Sequence, residues 1–135
     1  MYSYGKLITT LVLFSCTIRF GVAAPSYLLP DTMFSLFGMQ QGQGSPILYF
    51  VRVWAVRDIV LALLVVFAGR QHIKTLLAAC VAIESSDALA VYLTYSAGTF
   101  SGIQALNQLS TVALALVSEA AALVMISRQE ARASA

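Results

Sequence analysis

Seven ionisable side chains lie inside stretches of this chain that are otherwise apolar enough to cross a bilayer: Arg19, Arg52, Arg57, Asp58, Glu84, Asp87 and Glu119. A charge at the bilayer centre costs roughly 2.5–3.5 kcal/mol on insertion scales. Seven isolated charges would be untenable, so they must pair, face a wet cavity or in part stay neutral. Arg52 is the exception in kind. It lies about 8 Å from the membrane edge at 1.5 Å per residue, so its long side chain can snorkel to the interface. The other six sum to two positive charges against four negative ones. Carboxyls crowded in low dielectric do not all ionise together, and at least one is expected to keep its proton.

A protonated carboxyl beside an ionised one, steadied by arginine, is the equipment for general acid–base chemistry. One group protonates a leaving or ring oxygen, a second activates water or an internal hydroxyl, and a guanidinium stabilises developing negative charge. Epoxide or ester hydrolysis, ring closure and double-bond isomerisation suit this set without a cofactor or metal. The candidate catalytic residues are Asp58, Asp87, Glu84, Arg57 and Glu119; the candidate substrate-binding residues are Trp54, Tyr92, Tyr95, Arg19 and Gln108. The same charges also fit an ion-pair cluster that fixes helix register, or a path for a proton or small ligand, and the residues alone leave these readings open.

The elements that position these groups are helices. The chain has 135 residues, of which 59% are hydrophobic and 10% charged. A soluble domain carries about 25% charge, and about 20 apolar residues span a bilayer as a helix. The expected fold is therefore an all-α, integral membrane four-helix bundle in one domain, with spans at about 7–24, 47–68, 73–95 and 103–126. Lys6, the apolar run and the small pair Ala23-Ala24 imitate a secretory signal, but Arg19 interrupts the run and Pro25 would follow the cut. The helix is expected to be retained and to end at Pro25. Residues 25–46 form a loop, a lid or interfacial segment, with an apolar stretch Met33 to Met39, a flexible stretch Gln40 to Ser45, and Pro46 opening the next helix. The short connection between the second and third spans makes them antiparallel neighbours.

Lys6, Arg70, Lys74, Arg128 and Arg132 fall on one side of this topology, and the opposite loops hold no Lys or Arg. The positive-inside rule then places both termini in the cytosol, as a multi-pass protein of the endoplasmic reticulum if the host is eukaryotic. At 100° per residue, Trp54, Arg57, Asp58 and Leu61 share a face, as do Cys80, Glu84, Asp87, Val91 and Tyr95, and Gln104, Gln108, Thr111, Ala115 and Glu119. The ladder Ala78, Ala82, Ser86, Ala90 suits close helix packing. Cys16 and Cys80 read as packed free thiols, His72 as a solvated interfacial side chain, and Ser85-Ser86 as packing. The net charge of +2, without a basic cluster, gives no sign of nucleic-acid binding. The expected partners are the lipid bilayer, a small lipophilic substrate and a second copy of the chain in a homo-oligomer.

The segment Arg52 to Asp58, with its Arg57-Asp58 pair, followed some thirty residues later by the acids of Glu84 to Ala88, resembles an uncharacterised family of small four-helix microbial membrane proteins, a domain of unknown function. More distantly it is similar to DoxX-like proteins. The resemblance covers spans two to four and the loop before span two. It implies a small hydrolase or cyclase acting on a polyketide or terpenoid in a fungal natural-product pathway, with Arg57, Asp58 and Asp87 as the positions that carry over.

Overall fold

The computed structural model describes residues 5–39 and 47–133 and is helical throughout. Five helices follow one another: α1 Lys6–Leu28, α2 Pro30–Leu36, α3 Ile47–Phe67, α4 Arg70–Ser96 and α5 Gly102–Ala133. Three of them, α1, α4 from Gln71 onward and α5, are long and apolar enough to cross a membrane. α3 has 21 residues and is apolar throughout its length apart from Arg52, Arg57 and Asp58. The expected stretch Gln40 to Ser45, with Pro46, lies outside the described residues.

The four long helices alternate in direction. Ile8 near the start of α1, Val65 near the end of α3, Ile73 near the start of α4 and Ile126 near the end of α5 meet in one buried cluster with Val12, Cys16, Leu77, Cys80 and Ala122. The inward residues recur at three- and four-residue steps: Ile73, Leu77, Cys80, Glu84 and Val91 on α4, and Ala115, Ser118, Glu119, Ala122 and Ile126 on α5. That is the spacing of helices that interlock side chains along a shallow crossing angle. The outer faces carry Phe14, Phe20, Tyr49, Phe50, Phe67, Leu106 and Val117, all exposed. A helix set apolar both inside and out has hydrocarbon as its natural surroundings.

Three expectations need correction. Pro25 does not end α1; the helix continues to Leu28, with the Leu29 amide donating to the Pro25 carbonyl at 2.7 Å. Proline removes one donor but can be carried inside a long apolar helix, and here the Ser26 hydroxyl bonds the Val22 carbonyl at 2.7 Å across the same turn. Within the stretch read as a lid or interfacial half-helix, Pro30–Leu36 folds as α2 and Phe34 is buried. The helices before and after the short 68–69 link are antiparallel, but they touch only lightly; the close pairs are α1 with α3, α4 with α5, and α1 with α5. A cavity described below lies between the first turns of α3 and the last turns of α4. Finally, Ala78, Ala82 and Ser86 are exposed, because α4 turns its Cys80–Glu84 stripe inward and the ladder lies off that stripe, while Ala90 lines the larger cavity.

Glycine closes two helices. Gly38 (φ 73) and Gly98 (φ 74) adopt the left-handed conformation that lets a helix stop with its last carbonyls satisfied. The Gly98 and Thr99 amides donate back to Tyr95 and Thr94 at 2.9 and 3.1 Å.

Candidate functional site

Arg19 is the hub of the interior. It enters from α1 on the stripe Val12, Cys16, Arg19, Ala23 and is 3% exposed. Its guanidinium meets one carboxyl from each of the other three long helices. Nε donates to Glu119 Oε1 at 2.8 Å and Nη2 to Glu119 Oε2 at 3.2 Å. Nη1 donates to Asp58 Oδ1 at 3.2 Å, and Nη2 lies 2.9 Å from Glu84 Oε1. Nη2 also reaches the Cys80 backbone carbonyl at 3.4 Å. Asp58, Glu84 and Glu119 are all buried. A planar fork with five donors is the side chain suited to such a node.

A second arginine extends the network outward. Arg57 Nε donates to Asp58 Oδ1 at 3.1 Å, so that one oxygen serves both guanidinium groups, and Arg57 Nη2 donates to Asp87 Oδ2 at 2.9 Å. Arg57 and Asp87 are half-buried, with side chains 37% and 27% exposed. The order from core to edge is therefore Glu119, Arg19, Asp58, Arg57, Asp87, with Glu84 attached to Arg19.

Two cavities meet at this network. A small chamber of about 40 Å³ is bounded by Arg19, Asp58, Glu84 and Asp87 together with Trp54 and Gln108. At about 10–15 Å³ per water, it has room for about three. A larger cavity of about 500 Å³ lies beyond it, lined by α2 residues Pro30, Met33 and Phe34, by Val51 and Trp54 of α3, by Asp87, Val91 and Thr94 of α4, and by Gln108 of α5. Its wall is mostly apolar and its size is that of pockets that enclose drug-sized molecules. Phe37, Trp54, Asp87, Gln108 and Val112 border both spaces and form the collar between them.

Of the residues expected from sequence, Arg19, Arg57, Asp58, Glu84, Asp87 and Glu119 converge, and Trp54 and Gln108 line both spaces. Glu119 lies behind Arg19 and borders neither cavity described here. Tyr92 and Tyr95 do not join the site: both are exposed, 62% and 50%, on the outer side of α4. The inward register there runs through Asp87, Val91 and Thr94, and Tyr92 sits about 140° around the helix from Asp87. Arg52 points away from the network and is exposed, the placement from which it can snorkel. His72 is exposed, with its ring nitrogen 2.9 Å from the Gln71 amide nitrogen. Among the described residues no group of His, Cys, Asp and Glu is arranged to hold a metal ion.

One contributor is not apparent from the polar stripe alone. Gln104 caps α5: its Oε1 accepts from the Ser101 amide at 2.8 Å, and its own amide donates to Ser101 Oγ at 3.3 Å. Its Nε2 donates to the Gly38 carbonyl at 2.6 Å and so ties the end of α2 to the start of α5. The signal was present in the spacing Ser101-x-x-Gln104, the reciprocal capping box.

Comparison with known protein families, with curated proteins and with solved structures gave no match.

Proposed function

We propose that the protein is a small membrane-embedded acid–base enzyme of epoxide or ester hydrolase, cyclase or isomerase type, acting on a lipophilic molecule held in the 500 Å³ cavity. One observation carries this reading: Asp87 belongs both to the ion-pair network and to the wall of an apolar cavity large enough for a substrate. A purely structural network has no need of a carboxyl at a cavity wall.

Roles follow from position. Asp87 is held at Oδ2 by Arg57, which leaves Oδ1 to take a proton from water or from a substrate hydroxyl. Glu84 borders the small chamber and meets Arg19 through Oε1, which leaves its other oxygen as the proton donor to a ring or leaving oxygen. In an epoxide opening, Glu84 gives its proton to the ring oxygen as that C–O bond breaks. The attacking oxygen forms the new C–O bond and loses its proton to Asp87. The two carboxyls exchange protonation states, and no electrons are gained or lost. Arg57 and Arg19 hold the negative charge in place.

The setting is a bilayer crossed four times, with α3 as the fourth span, both termini in the cytosol and, in a eukaryotic host, the endoplasmic reticulum as the membrane. The charge asymmetry of the loops and the apolar outer face support this topology. The placement in a polyketide or terpenoid pathway rests on the family resemblance alone.

A second reading has its own support. Arg19 is saturated by three carboxyls, as in a cluster that only locks helix register, and a non-catalytic scaffold or assembly subunit would need nothing more. The test is direct. The full-length protein in nanodiscs is incubated with a lipophilic extract of its source, beside an Asp87→Asn variant of equal yield, and small molecules are compared by mass spectrometry. A compound converted by the wild type alone supports the enzyme. Identical profiles from wild type, variant and empty nanodiscs leave the scaffold.

A further inference from the structure

The collar between the two spaces is polar on one side of an otherwise apolar wall, and its polar atoms are uncommitted. Asp87 uses Oδ2 for Arg57, and no described side chain or backbone group bonds its Oδ1. The side chains of Gln108 and Trp54 make no hydrogen bond among the described residues, although both border the chamber and the cavity. In contrast, the neighbouring hydroxyls of Ser26, Thr94 and Thr111 are spent on backbone carbonyls one turn back. The collar residues thus hold two uncommitted acceptors, Asp87 Oδ1 and Gln108 Oε1, and two donors, the Gln108 amide N–H and the Trp54 indole N–H.

The geometry points to a hydroxyl-headed apolar molecule as the ligand of this site, its hydroxyl in the collar and its body in the 500 Å³ cavity. The inference rests on the functional reading above and narrows its substrate class. A hydroxyl both donates and accepts, so a single atom answers Asp87 on one side and Gln108 or Trp54 on the other. A carboxylate or phosphate head can only accept, and in the chamber it would face three carboxyls, Asp87, Asp58 and Glu84, against the one guanidinium of Arg19, which those acids already occupy. An ether accepts from Gln108 but leaves Asp87 without a donor.

Trp54 is the single tryptophan of the chain, so the native protein reports on its own collar. Full-length protein in phosphatidylcholine nanodiscs is titrated with 9,10-dibromostearyl alcohol, with its methyl ether and with the corresponding dibromo acid, and Trp54 quenching is followed. The expected result is saturable quenching by the alcohol, at least about tenfold tighter than by either other probe. Gln108→Leu should weaken the alcohol about tenfold and the ether with it, since both accept from the Gln108 amide, and leave the acid, which the collar repels, nearly unchanged. Val112→Phe, which crowds the collar without touching a charge, serves as the second variant and should remove the saturable phase. Equal quenching by all three probes, or preference for the acid, overturns the inference and marks the cavity as a groove for any acyl chain. Selective alcohol binding with no Asp87-dependent conversion would keep the hydroxyl site and remove the catalytic reading. Asp87-dependent conversion without head selectivity would do the reverse.

Discussion

Arg19 and Glu119 meet as a two-point fork, Nε on Oε1 at 2.8 Å and Nη2 on Oε2 at 3.2 Å, with both side chains nearly inaccessible. The pair joins α1 to α5, which already pack closely, and orients the guanidinium so that its remaining edge faces Asp58 and Glu84. Glu119→Gln removes the charged half of the fork but leaves Arg19 its Asp58 and Glu84 partners. The loss is then that of hydrogen bonds between charged groups, about 1.5–3 kcal/mol of unfolding free energy, read from denaturant titration in micelles. A loss under about 1 kcal/mol would mean that the fork does not clasp the bundle.

Asp87 should behave in the opposite way. Its ion pair with Arg57 is part-exposed, and exposed pairs contribute about 0–1 kcal/mol. Asp87→Asn is expected to fold with nearly wild-type stability while any conversion of a lipophilic substrate falls by about 10²–10⁴, the range for a lost acid–base group. The pairing of an intact melting curve with lost conversion is the signature to look for.

Gln104 links two elements through one side chain. Gln104→Ala should destabilise the start of α5 by about 1–2 kcal/mol, as losses of helix caps do, and release the end of α2. Hydrogen exchange over residues 30–39 should quicken while the α1–α5 contact stays protected. Unchanged exchange there would show that burial of Phe34 alone holds α2.

Topology can be read with two new thiols. Cys16 and Cys80 are buried, so the native chain should be silent to a membrane-impermeant maleimide. In sealed microsomes Arg132→Cys is expected to label at once, and Ser101→Cys only after detergent. The reverse pattern would invert the proposed orientation.

The charged constellation was legible because helical periodicity places Trp54 with Asp58, Glu84 with Asp87 and Gln108 with Glu119, and because apolar surroundings force such groups together. What the period cannot give is which of two plausible faces turns inward. Tyr95 and the ladder Ala78, Ala82, Ser86, Ala90 both looked like interior positions on α4; with Glu84 turned to Arg19, Tyr95 and the ladder up to Ser86 lie outside and Ala90 meets the cavity. Pro25 misled for a related reason. It is read as a stop by local chemistry, yet a helix seated among others can lose one amide donor and continue. For α2 the sequence left a lid and an interfacial segment both open, because its position depends on a contact 66 residues away, between Gln104 and Gly38.

The layer of Ile8, Val12, Val65, Ile73, Leu77 and Ile126 fills the bundle at the end where the chain begins and finishes. Beyond it come the arginines and acids, and beyond those the chamber and the larger cavity. The oily layer is thus a plug that parts the charged groups from the chain's two ends, so a bulky-to-small change there, such as Leu77→Ala, should loosen the bundle without touching the cavity wall.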